Sequence, residues 1–192
     1  MTPRMLLAIA AAMLLAPELP AQIQRVRSNS AARTVDSIIP RSGPVGTEVL
    51  VKSGAMPAIT PLRVGFGAFA GFEAFDMVLS SDKGELAMKA TVPQWASWDR
   101  SYRFIVFDVY FQPIALSEPF YATTADGLLF RQGIVSREDP QCVTVKEKTG
   151  EVHSLTGDIA SLKTGDNVSV EGVFAGMSTC ASGAVIRVTR VR

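Results

Sequence analysis

Few residues in this chain have the chemistry to act as more than structure, and they are easily separated. Cys142 and Cys180 are the two cysteines, and His153 is the single histidine. That set holds three such ligands, one short of the four of a Cys/His structural zinc site. Redox-active pairs lie close together, as Cys-x-x-Cys, with a nearby charge lowering the thiol pKa. Cys142 and Cys180 stand 38 positions apart with no charged neighbour, so a structural disulfide is the expectation. In the chain-entropy model a loop of that length stabilises by roughly 4 kcal/mol. His153 lies between Glu151 and Ser154 in a strand-like stretch. Strand neighbours point to opposite faces, so Ser154 cannot serve His153 in a Ser/His/Asp triad with Asp158. A solvent-facing strand histidine is the expectation. No catalytic residue is assigned.

The carboxylates Glu138-Asp139 and Asp158/Asp166 show no spacing that singles out a facing acid pair. Asp158 and Asp166 adjoin glycines and read as cap and turn residues. No D-x-D-x-D-G calcium loop and no Gly-rich loop with a Lys-Ser/Thr tail occurs, so neither a metal nor a cofactor is expected. Trp95, Trp98 and Tyr102 are the cluster with binding potential. Buried, Trp95 would cap a core and Trp98 would pack at a domain junction. Displayed on a loop, the three rings would form a platform for a sugar or an anchor for a protein.

The 192-residue chain is 47% hydrophobic and 19% charged, which excludes a disordered acidic or basic tract. Its 19 Lys+Arg balance 18 Asp+Glu to a net charge of +1, which argues against a bulk grip on nucleic acid. Residues 1–21 read as a signal peptide: Arg4, an apolar run over 5–16, then Pro17, Pro20 and Ala21. The run is about 12 residues, where a bilayer span takes about 20. The expectation is an exported chain of the periplasm or cell surface, with no membrane span in the mature part. Residues 22–34 read as a flexible leader.

From Val35 onward, short apolar runs alternate with Gly, Pro, Asp and Ser clusters, and no helical stripe is sustained. Strands are expected over 47–52, 62–66, 75–79, 86–92, 103–110 and 119–123. Five more are expected over 128–136, 142–146, 152–156, 168–174 and 185–191. The fold class is therefore all-β. Gly43 and Gly46 are expected at positive φ, and Gly65 and Gly67 at a bulge or close approach. The run 104–107 is apolar on both faces, so its strand is either central or covered on its second side, with the C-terminal unit as the candidate cover. Residues 158–162 fit one helical turn capped by Asp158. Residues 124–127 form a turn between two domains, 35–123 and 128–192. A domain of about 65 residues has a marginal core, so a disulfide matters there. Arg187, Arg190 and Arg192 read as a solvated sheet edge.

The stretch Ile39-Pro40-Arg41-Ser42-Gly43-Pro44-Val45-Gly46-Thr47 resembles the entry of an IPT/TIG domain. Val64-Gly65-Phe66-Gly67, Thr91-Val92-Pro93 and Phe120-Tyr121 follow in that family's order, while Ala55-Met56-Pro57 departs from its Gly-x-aromatic. The resemblance implies an immunoglobulin-like sandwich. Residues 128–192 are similar to a five-stranded OB-like barrel, and the Gly and Cys180 pattern looks like a small domain of secreted bacterial proteins. Together these imply adhesion, scaffolding or ligand binding without catalysis. The partner would be an envelope or surface protein. The alternative is a polysaccharide held by Trp95, Trp98 and Tyr102.

Overall fold

A computed structural model describes residues 33–68, 71–139, 142–181 and 183–192; the expected signal peptide and almost all of the expected leader lie outside them. The described chain is all-β. The N-terminal strands are β1 (Ser37–Ile39), β2 (Ser42–Gly43), β3 (Glu48–Ser53), β4 (Pro61–Ala68), β5 (Gly71–Leu79), β6 (Leu86–Thr91), β7 (Ser101–Phe107), β8 (Pro113–Leu116) and β9 (Phe120–Ala122). They form a three-stranded sheet, β1-β3-β6, and a six-stranded sheet, β2-β9-β7-β4-β5 with β8 also paired to β7. The C-terminal strands are β10 (Leu128–Asp139), β11 (Cys142–Lys146), β12 (Val152–Gly157), β13 (Asn167–Met177) and β14 (Ala184–Val191). They close into a barrel in the order β10-β11-β12-β14-β13, with β12 and β14 parallel.

Period-2 alternation builds both cores. Val49 and Val51 of β3 point inward while Glu48 and Lys52 face water. Tyr102, Phe104 and Val106 of β7 do the same from the opposite sheet, so the two sheets share one apolar core. Phe66 is its hub, with ring centroids 4.8 Å from Tyr102, 5.0 Å from Phe104 and 5.8 Å from Phe120. On β9 the alternation does something further. Phe120 enters this core, and Tyr121, one residue on and facing the other way, enters the core of the barrel.

Several expectations are corrected. β1, β2 and β8 were not anticipated, since strands of two to four residues carry no readable period. Gly46 has φ +83, but Gly43 does not adopt positive φ; it is required because a Cβ there would lie 2.5 Å from the Thr47 side chain. Phe107 is covered by Phe72 and Phe111, at 5.4 and 6.2 Å, rather than by the barrel. Residues 158–162 hold one hydrogen-bonded turn, Leu162 N to Ile159 O, instead of a helical turn. Of the arginine row, Arg187 lies where β14 is paired on both sides, whereas Arg190 and Arg192 lie beyond the pairing with β12, beside β13 alone; all three are exposed, and Arg190 and Arg192 each lie 3.5 Å from Glu171. Among the described residues no helix is long and apolar enough to cross a membrane.

Candidate functional site

The densest polar chemistry sits where β9 meets the barrel. Arg131 follows Leu129 by two positions on β10, so both point into the barrel and both are fully buried. The Arg131 Nη1 donates to the carbonyls of Phe130 at 2.6 Å and Trp98 at 3.1 Å. Its Nε lies 3.0 Å from Glu147 Oε1 as an ion pair, and its guanidinium lies over the Tyr121 ring at 5.6 Å. Among the described residues neither Nε nor Nη2 has a hydrogen-bond partner, so the Glu147 contact is an ion pair alone.

His153 precedes the core residue Leu155 by two positions on β12, and the same period turns it inward. The expected solvent-facing histidine is therefore corrected: His153 is 0% exposed. Its Nε2 lies 2.9 Å from Glu147 Oε1, and its ring meets Tyr121 edge-on at 5.8 Å. Gly183 closes over the other ring nitrogen; a Cβ there would stand 2.6 Å from Nδ1. The turn between β11 and β12, closed by Glu147 N to Glu151 O at 2.8 Å, presents Glu147 to Arg131 and His153 within the barrel and Glu151 to the N-terminal unit. Glu151 accepts from Ser101 Oγ of β7 and, at 3.3 Å, from the Tyr121 hydroxyl.

Burial, reinforced by the Glu151 charge, pushes the Tyr121 phenol well above its ordinary range. Burial likewise lowers the Arg131 pKa, against the opposing pull of Glu147 and Glu151. Glu147, Glu151 and His153 bring three ligand atoms within 4.8 Å of one another. Arg131 already supplies a cation to Glu147 inside the barrel, and Glu151 accepts from Ser101 and Tyr121 of the N-terminal unit, so the group is suited to a hydrogen-bonded joint between the units and poorly suited to a metal. Ser154, on the opposite face of β12, bonds Ser178, whose hydroxyl also accepts from Cys180 N at 2.9 Å and Ala181 N at 3.0 Å. Asp158 is exposed beyond the end of β12, so no Ser/His/Asp geometry forms. The side chains of Glu138 and Asp139 lie outside the described residues.

Cys142 and Cys180 form the disulfide, with Cα atoms 5.8 Å apart, tying the start of β11 to the loop before β14. Trp95, Trp98 and Tyr102 do not form one platform. Tyr102 is buried against Phe66, and its hydroxyl accepts from Ser97 N at 2.6 Å. Trp98 packs on Phe130 at 5.5 Å, and its carbonyl receives Phe130 N and Arg131. Trp95 alone is displayed, 46% exposed, with Nε1 donating to Glu73 at 2.7 Å. It borders a shallow groove of about 420 Å³ shared with Phe72, Ser97, Arg100 and Tyr102. Beside the groove, burial works to raise the Asp99 pKa, but hydrogen bonds from Ser97 and Arg100 and the Arg100 charge outweigh it and hold the carboxyl low.

Arg131, Tyr121 and Glu147 escaped the sequence reading. The available signal was register: Arg131 shares a face with Leu129, and His153 with Leu155. These features define an all-β chain with a closed five-stranded barrel and one disulfide. The chain matches no protein-family model, no curated protein and no solved structure.

Proposed function

We propose that this chain is an exported, non-enzymatic binding or scaffolding protein of the periplasm or cell surface, whose partner is an envelope or surface protein. In this reading residues 1–21 are a signal peptide and 22–34 a leader. An IPT/TIG-like sandwich over 35–123 precedes an OB-like barrel over 128–192. The parallel pairing of β2 with β9, and the split of β1-β3-β6 from β9-β7-β4-β5, support an immunoglobulin-like topology. The closed barrel with its parallel β12–β14 pair supports the OB-like assignment. The disulfide suits an oxidising compartment.

One observation carries the preference for binding over turnover. The single histidine is enclosed and held, with Arg131, against Glu147, whereas the displayed residues include the large apolar and aromatic side chains Phe72, Trp95, Tyr110 and Phe111. Chemical cross-linking in the native envelope should join the chain to one envelope or surface protein at a defined stoichiometry. Recovery of the chain with no protein adduct contradicts the reading.

A polysaccharide ligand is the second reading, favoured by the groove beside Trp95. The platform would then be Trp95 with Phe72 and Arg100 rather than Trp95 with Trp98 and Tyr102. Indole emission that changes with one member of a polysaccharide panel, and not in Trp95→Ala, supports it; emission unchanged across the panel ends it.

A further inference from the structure

Edge strands are normally protected by shortness, by proline or by lysine, because their free N–H and C=O groups will pair with another chain. Most edges here follow that rule. β1 has three residues, β2 has two, and β8 has four and begins at Pro113. β6 carries Lys89, which pairs with Glu48 at 2.8 Å. β5 follows it least. Among the described residues it pairs only with β4; it is nine residues long, has no lysine, arginine or proline, and its protection is limited to one bulge opposite Arg63–Gly65 and to acidic side chains. Phe72, Met77 and Leu79 along it are 53%, 50% and 62% exposed. Its charged residues, Glu73 and Asp76, are both exposed and both acidic.

A second copy of the chain is a poor occupant. Antiparallel self-pairing that sets Glu73 opposite Asp76 would place two pairs of carboxylates directly across from one another, and like charges directly opposite are destabilising. Complementary charge reverses that term. We propose that β5 is a docking edge for an extended segment of a partner protein in which lysine or arginine alternates with apolar residues. The segment would add a seventh strand to the six-stranded sheet: main-chain hydrogen bonds would give affinity, contacts to Phe72 and Met77 would add apolar burial, and Glu73 and Asp76 would select for positive charge. This deepens the binding reading above by naming the partner's chemistry.

The test uses the full, oxidised chain and a short blocked peptide alternating valine with lysine, beside its valine–glutamate counterpart. The lysine peptide should slow amide exchange along 72–79, and the Trp95 indole N–H, bonded to Glu73, should shift. The glutamate peptide should do neither. Replacing Glu73→Lys and Asp76→Lys together, at exposed positions, should weaken the lysine peptide by about tenfold and admit the glutamate peptide. Three results overturn the proposal: no protection by either peptide, equal protection by both, or protection without peptide that grows with protein concentration, which would mean self-pairing. Cross-linking to an envelope protein reads the binding reading independently, so failure at β5 leaves a distinguishable result.

Discussion

Tyr121 belongs to a strand of the N-terminal unit but to the core of the barrel, so its removal should be felt as loss of the joint. Tyr121→Ala empties a fully buried site and should cost about 3–5 kcal/mol, as for other large aromatic truncations. Tyr121→Phe keeps the ring stacked on Phe174 at 5.4 Å and loses only the hydroxyl bond to Glu151. That loss is about 1 kcal/mol at pH 8, since Ser101 still satisfies the carboxylate. The two proteins should then respond differently to alkali. Because the folded-state phenol pKa is raised, its stabilisation is complete below the unfolded value near 10 and is lost as pH rises toward the folded value. At pH 11 the ionised phenol of the unfolded chain withdraws about 1.4 kcal/mol from the native protein. Tyr121→Phe has no such loss, so it should overtake the native sequence by about 0.4 kcal/mol at pH 11. Urea unfolding at pH 8 and pH 11, followed by near-ultraviolet circular dichroism, measures both differences. A stability difference between the two proteins that does not change with pH refutes the assignment of Tyr121 as a buried neutral phenol.

Replacing Cys142 and Cys180 by alanine should cost roughly 4 kcal/mol, read as a lower urea midpoint that reductant reproduces in the native protein and leaves unchanged in the variant. Arg131→Met strands the Glu147 carboxylate and should cost about 3–5 kcal/mol, whereas Arg131→Met combined with Glu147→Gln should recover part of it in a double-mutant cycle. Gly183→Ala would force a methyl 2.5 Å from the Val152 carbonyl and 2.6 Å from His153 Nδ1. It should destabilise by about 1–3 kcal/mol in the same assay.

The long strands were legible because their apolar residues recur every second position and turn residues bound them. Barrel strands 142–146 and 152–156 were placed to within a residue for that reason. The joint was not legible. Arg131, Glu147 and His153 are polar, and polar residues in strands read as surface unless their face is traced from a known inward neighbour. Phe120-Tyr121 looks like one apolar pair because nothing local records that its two rings enter separate cores. Trp98 was foreseen as a junction residue and packs on Phe130. Trp95 kept half of each expectation, covering Phe66 at 5.8 Å while remaining half exposed.

The most direct measurement is the intact mass of the native protein recovered from cell fractions. The proposed role predicts a chain in the envelope or external fraction that has lost residues 1–21 and weighs two hydrogens less than its reduced form. A full-length chain with both thiols free, confined to the cell interior, contradicts it.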